Sequence, residues 1–176
     1  MGIFQSKRKV NLVCCGLDNS GKSTIINQLK PTKLRTENIG ATVGYQLEEF
    51  EKGNCCFKVF DMGGAKKFRA LWELYYKEVD GVIFVIDSSD KIRMCLVKDE
   101  LRMLLENKDL SMRPILFFAN KMDIQGSRTP QEIVEDLELT ECITDRNFNI
   151  FASNAKTGQG LEAGITWLSN IVTRGA

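Results

Sequence analysis

Histidine is absent from the 176-residue sequence, so the side chain that most often binds transition metals is missing. Six cysteines are present, Cys14, Cys15, Cys55, Cys56, Cys95 and Cys142, but none are spaced C-x-x-C. Neither a zinc ribbon nor a dithiol redox motif can be built from them. There is no charge excess either: 24 Lys and Arg face 23 Asp and Glu, a formal net charge of +1. A nucleic-acid binder usually shows a basic excess or stripe, so no nucleic-acid partner is expected. No apolar run approaches the roughly 20 residues that span a bilayer, and no secretory signal pattern opens the chain. What remains is an ordinary globular composition, 43% hydrophobic and 27% charged, at a length that suits one domain. Four of the cysteines form adjacent pairs inside apolar runs, as expected of buried, reduced thiols in a cytoplasmic protein.

Apolar runs of strand length alternate with longer segments of helical period. Val10–Cys15 is expected to form a strand, and Lys22–Leu29 a short helix after a glycine turn. Tyr45–Phe50 and Cys55–Phe60 flank Lys52-Gly53-Asn54 and are expected to pair as an antiparallel hairpin. Gly81–Ile86 and Ile115–Ala119 are continuously apolar, the pattern of strands buried on both faces. Between them, Leu96, Val97, Leu101 and Leu104/Leu105 give Ile92–Leu105 a helical spacing. Thr129-Pro130-Gln131-Glu132 joins an N-cap, a proline at the first helical position and a capping glutamate. Phe148–Ala152 is the last expected strand and Leu161–Val172 the closing helix. This succession predicts an α/β fold: a mostly parallel, six-stranded sheet with one antiparallel edge hairpin and helices on both faces. Residues 10–176 are assigned to that single domain, and 1–9 to an N-terminal, membrane-proximal segment.

The strongest chemical signal is Gly16-Leu17-Asp18-Asn19-Ser20-Gly21-Lys22-Ser23, a full G-x-x-x-x-G-K-[ST] match between a strand and a helix. Such a loop wraps phosphates with backbone N–H groups, and the helix N-terminus adds positive field. Lys22 would reach the β- and γ-phosphates and the Ser23 hydroxyl would hold Mg²⁺. Asp18, Asn19, Ser20, Gly21 and Thr24 complete the cradle. Asp61-Met62-Gly63-Gly64 follows the strand ending at Phe60. Its carboxylate is placed to bind Mg²⁺ through water, and Gly64 lets a backbone N–H approach the γ-phosphate. Thr42, between the first helix and the hairpin, is positioned to add a second hydroxyl to Mg²⁺ when that phosphate is present.

A phosphate loop does not choose its base; Asn120-Lys121-Met122-Asp123, directly after Ile115–Ala119, does. A carboxylate at Asp123 accepts from the N1–H and N2–H₂ edge that only guanine offers. Adenine presents an acceptor there and would leave a buried carboxylate unpaired, at a cost of about 1–3 kcal/mol or more. Asn120 can bridge the base and the phosphate loop while the Lys121 stem covers the ring. Ser153-Asn154-Ala155-Lys156, after the final strand, would give a backbone N–H to the guanine O6.

These five segments, in this order, resemble the Ras superfamily of small GTPases, and within it the Arf-like proteins, from about Val10 to Val172. Gly16–Ser23 is similar to the Arf form G-L-D-x-x-G-K-[ST]. Arg69-Ala70-Leu71-Trp72 with Tyr75-Tyr76 is similar to the Arf pattern R-x-L-W followed by a tyrosine pair. Gly16–Pro31, Trp72–Glu78 and Phe84–Arg93 resemble the Arf-like subfamily that recruits the BBSome coat to ciliary membranes. The resemblance implies a GTP/GDP switch with Mg²⁺, served by an exchange factor and a GTPase-activating protein and read by an effector or coat complex. It further implies a monomer on the cytoplasmic face of a membrane, at the cilium or basal body. Tyr45, Phe60 and Tyr75 match the aromatic positions through which Arf proteins meet effectors; packing of the switch regions is the alternative role for them.

Three departures from the family qualify this. The glutamine that follows D-x-G-G and orients the attacking water is here Ala65. A methyl group cannot orient water, so hydrolysis is expected to be slow, or absent, which would make the chain a GTP-bound adaptor. Lys22, Thr42, Gly64 and Ala65 are the positions on which turnover depends. The family proline before the switch threonine is Ala41, which removes a φ constraint from that loop. The segment ahead of the first strand is short, so the amphipathic N-terminal helix that couples Arf proteins to membranes is reduced. Met1–Ser6 nevertheless fits M-G-x-x-x-[ST], which makes Gly2 a myristoylation candidate with Lys7-Arg8-Lys9 as a basic second signal. No prenylation box closes the chain, which argues against the Ras, Rho and Rab branches.

Overall fold

The computed structural model describes residues 6–174. Six strands, β1 (Arg8–Cys15), β2 (Tyr45–Lys52), β3 (Cys55–Met62), β4 (Gly81–Asp87), β5 (Ile115–Asn120) and β6 (Phe148–Ala152), form one sheet in the order β2-β3-β1-β4-β5-β6. All neighbours are parallel except the β2–β3 edge hairpin. Opposite Lys52 lies Cys55, which leaves Gly53-Asn54 as a two-residue turn. Gly53, at φ 57°, takes the left-handed first position that such a turn requires. The hairpin is longer than the apolar runs suggested, because backbone pairing continues where side chains turn polar. β1 likewise begins at Arg8, two residues ahead of the expected Val10.

The sheet divides two apolar cores by simple alternation. Val82, Phe84 and Ile86 face one layer, with Trp72, Tyr76, Val97, Leu101, Leu104 and Ile133. Ile83 and Val85 face the other, with Ile25, Ile26, Leu161, Ile165 and Leu168. Helices α1 (Lys22–Leu29) and α6 (Leu161–Arg174) cover this second face. The first is covered by α3 (Met94–Glu106), α4 (Pro130–Asp136), the short α5 (Leu139–Cys142) and a 3₁₀ segment at Trp72–Glu78. Cys14 and Cys15, adjacent in β1, point into opposite cores, and all six cysteines are free thiols.

The start of α3 differs from expectation. Its spacing predicted a start at Ile92, but α3 begins at Met94, and Ile92 is 91% exposed. The cause is local. The Asp87 carboxylate accepts from the Ser89 N–H and hydroxyl, and Asp90 accepts from the Arg93 N–H, so these residues are held in turns. Leu96, counted on the apolar face, is exposed, and Met94, Val97, Leu101 and Leu104 carry the burial. The capping box at α4 is formed as predicted: Thr129 Oγ1 accepts from Glu132 N–H while Glu132 Oε2 accepts from Thr129 N–H.

Candidate nucleotide site

The C-terminal ends of β1, β3, β4 and β5 open on one edge of the sheet, and the motif segments leave from there. Gly16–Gly21 turns out of β1 onto the N-terminus of α1. Asn19 (φ 60°) and Gly21 (φ 97°) take left-handed backbone conformations. A Cβ on Gly21 would lie 2.3 Å from Asn120 Nδ2, so the close approach of the two segments itself requires glycine. A cavity of about 500 Å³ lies over this loop, lined by Asp18, Asn19, Gly21, Lys22, Ser23 and Thr24 on one side. Gly40, Ala41, Thr42, Gly64, Ala65 and Lys67 line the other.

Lys22 is 6% exposed and its Nζ donates to Leu17 O at 2.9 Å. Burial holds its pKa below the ordinary lysine value, against the pull of neighbouring Asp61 and Asp18. Ser23 Oγ hydrogen-bonds Asp61 Oδ2 and lies 2.9 Å from Thr42 Oγ1. Thr42 Oγ1 is 3.4 Å from the same Asp61 oxygen. Three residues from a helix, a loop and a strand end are thus gathered on one point. Asp61 is 1% exposed, its Oδ1 has no hydrogen-bond partner, and burial raises its pKa above the usual carboxylate value. An orphaned buried carboxylate oxygen beside two hydroxyls is an all-oxygen donor set, which fits a hard cation such as Mg²⁺ that keeps waters and phosphate oxygens for its remaining positions. Among the described residues no group of three His, Cys, Asp or Glu could hold a metal unaided.

Behind the phosphate loop, Asn120 is the hub. Its Nδ2 donates to Ser20 O at 2.9 Å, and its Oδ1 accepts from Ala155 N–H at 3.1 Å and Ser153 Oγ at 3.2 Å. Lys121, at φ 65°, lays its Nζ against Asn19 O and Asp87 Oδ2, both at 2.6 Å. Asp123 is solvent-exposed and not buried as expected, because it follows the end of β5, so the desolvation that enforces a choice of base would come with the base itself. Within the Ser153–Lys156 segment, expected to give one backbone N–H to the base, the Ala155 N–H is given to Asn120. That of Lys156 goes to Asn154 Oδ1 at 3.0 Å.

On the β3 side, Gly64 lies directly against the phosphate loop: a Cβ there would meet Asp18 N at 2.4 Å and Lys22 Nζ at 2.5 Å. Ala65 follows, immediately before the short helix α2 (Lys66–Arg69), and lines the same cavity. Tyr45, Phe60 and Tyr75 form one aromatic cluster, with Tyr75 centroids 4.7 Å from Tyr45 and 4.8 Å from Phe60. Phe60 is only 4% exposed beneath the two tyrosines, whereas Tyr45 is 45% exposed. Within this cluster Phe60 packs beneath the surface and Tyr45 supplies exposed aromatic area.

Sequence motifs gave no site role to four residues, Arg69 of the R-x-L-W stretch among them. Arg93 donates to Asp18 Oδ1 at 2.8 Å and to Asp18 O at 3.0 Å, while Asp87 holds Lys121. Arg69 Nε donates to Gly64 O and its Nη1 to Glu100 Oε1, each at 2.9 Å. All are ordinary charged residues in sequence, and only folding shows what they hold. At the N-terminus, Gly2 lies outside the described residues. Of the adjoining basic run, Lys7 pairs with Glu51, and Arg8 donates to Thr173 O and Val172 O at the end of α6. Arg8 is thus drawn into the fold.

A sheet in this order, with a glycine loop on its first helix and N-K-x-D at its fifth strand, defines the chain as a small GTPase of the P-loop class. Residues 1–172 match the ADP-ribosylation factor family, and the chain belongs to that family. ADP-ribosylation factor-like protein 6 of Danio rerio is 48% identical over 180 residues, covering 97% of this chain and 96% of that protein. The protein of the same name from Caenorhabditis elegans is 44% identical, covering 99% and 96%. Among solved structures, the Arl6 BBS3 small GTPase from Trypanosoma brucei with bound nucleotide analogue GppNp has a TM-score of 0.90 and 52% identity. That match covers 96% of this chain and 99% of that one.

Proposed function

We propose that this Arf-family GTPase is a Mg²⁺-dependent GTP/GDP switch with slow intrinsic turnover. The observation that carries the reading is the meeting of Ser23, Thr42 and Asp61 within hydrogen-bonding distance. One of the three, Thr42, sits on a loop that would order around a third phosphate. Bound Mg²⁺ would neutralise charge on the β- and γ-phosphates. The rest falls to the chain: Lys22 faces the same phosphates, the loop Asp18–Gly21 presents N–H groups, and Ser23 and Thr42 place hydroxyls on the cation. Asp61 acts on it through water. The Gly64 N–H senses the γ-phosphate, so GDP leaves Thr42 and Gly64 without a tether. Asn120, Lys121, Asp123 and the Ser153–Lys156 segment select guanine.

Ala65 presents a methyl group where water must be oriented, so GTP persists until a partner supplies the missing group. The exposed apolar side chains Val43, Tyr45, Leu47 and Leu74 border both switch segments, which supports this surface as the contact for an effector or coat complex. Similarity to the Arl6 proteins supports a peripheral-membrane site of action at the cilium, with Gly2 acylated. An exchange factor and a GTPase-activating protein complete the cycle. The test is to identify the nucleotide that co-purifies, then to compete it with GTP and ATP, with and without EDTA. Displacement by GTP alone, accelerated by EDTA, is expected; displacement by ATP would refute guanine selectivity.

A further inference from the structure

Two side chains from just downstream grip the glycine pair of the β3 loop. The Trp72 indole, 2% exposed, donates its Nε1–H to Gly63 O at 3.0 Å. In a trans peptide the N–H points opposite to the C=O, so this bond also sets the direction of the Gly64 N–H. Arg69 Nε donates to Gly64 O at 2.9 Å and thereby fixes the next peptide, which carries the Ala65 N–H. The guanidinium then continues outward. Its Nη1 is 2.9 Å from Glu100 on α3, with the two side chains 12% and 13% exposed, and its Nη2 is 3.8 Å from Asp18 on the phosphate loop.

We infer that Arg69 is a positioning residue for recognition of the terminal phosphate, anchored by Glu100 and acting through the Gly64–Ala65 peptide next to the Gly64 N–H. The inference rests on the switch reading above, in which Gly64 faces the γ-phosphate. Ala65 contributes no polar side chain to the cavity, so what the Gly64-Ala65 pair offers there is its backbone N–H groups. Fixed donors stabilise charge only as well as they are oriented beforehand. Gly64 O, Glu100 and Asp18 belong to three separate segments. One planar fork reaches all three because residues 63–65 lie on the phosphate loop, the arrangement a γ-phosphate would favour. A lysine carries the same charge but lacks the fork, so one Nζ cannot reproduce the separate Nε and Nη1 bonds to Gly64 O and Glu100.

The test measures dissociation of fluorescent GDP and of a fluorescent non-hydrolysable GTP analogue from the full chain, for wild type, Arg69→Lys, Arg69→Ala and Glu100→Gln. Thermal melting is followed in parallel. Loss of a charge-assisted hydrogen bond predicts about tenfold faster release of the GTP analogue from both Arg69 variants. GDP release should stay within about twofold, and Glu100→Gln should fall between. Equal acceleration for both nucleotides with a lowered melting temperature would show a merely structural role and overturn the inference. So would no change for either. If wild type holds GDP but not the GTP analogue, the switch reading fails at its root, and this inference with it.

Discussion

Asn120 and Ser20, one hundred positions apart in the chain, meet through a 2.9 Å hydrogen bond from the Asn120 amide to the Ser20 carbonyl. That contact ties the base-reading strand end to the phosphate loop. It depends on Gly21, where any side chain would intrude on the asparagine.

Asn120→Ala removes a donor and an acceptor at a site 1% exposed, and strands Ser20 O and Ala155 N–H. Each unsatisfied buried group costs about 1–3 kcal/mol. Dissociation of a fluorescent GDP analogue is expected to accelerate at least tenfold or so, and a stopped-flow displacement assay reads it directly.

Asp61→Asn keeps shape and partners but removes the charge beside Ser23 and Thr42. Nucleotide dissociation from wild type should speed up when EDTA is added and slow again with excess Mg²⁺. In the variant the two conditions should converge. Retention of full Mg²⁺ sensitivity would show that Asp61 takes no part in holding the cation.

Ala65→Gln restores a polar side chain at the lip of the cavity formed by Gly64, Lys22 and Thr42. Single-turnover GTP decay should rise on the order of tenfold to a hundredfold if orientation of water is what the wild type lacks. GDP affinity should hardly move. Equal rates for the two proteins would place the limitation elsewhere.

Gly164→Ala tests packing rather than chemistry. Alanine would favour the α6 helix by about 1 kcal/mol. Its Cβ, however, would lie 2.5 Å from Phe118 Cε1 and 2.7 Å from Cζ in a buried ring. Overpacking costs roughly 1–3 kcal/mol, so the melting temperature should be unchanged at best and lowered by several degrees at most. A clear rise would show that the ring moves aside freely.

Much of the fold was legible because its signals are local. Continuous apolar runs marked β4 and β5, and Thr129 with Glu132 marked the start of α4. Where side-chain hydrogen bonds compete with the helix, as at Asp87 and Asp90, periodicity placed the start of α3 two residues early. Composition also could not separate the exposed Tyr45 from the buried Phe60, since both are aromatic residues on alternating strands.

By itself the sequence determined which groups are available: the phosphate loop Gly16–Ser23, the guanine-reading Asn120–Asp123, and the absence of a glutamine at Ala65. Those depend on residue type and short spacing, which a chain carries before it folds. The motifs anticipated Ser23, Thr42 and Asp61 on one cation and Asn120 against the phosphate loop; only the tertiary structure decided the atoms, with Asp61 Oδ1 left over and Asn120 held by both Ser20 and Ala155. The same holds for Arg69, which spans Gly64 and Glu100. Apart from Arg69 with Gly64, these contacts join residues 19 to 100 positions apart, and which pairs of polar groups are buried together is set by the sheet order and the packing of its helices.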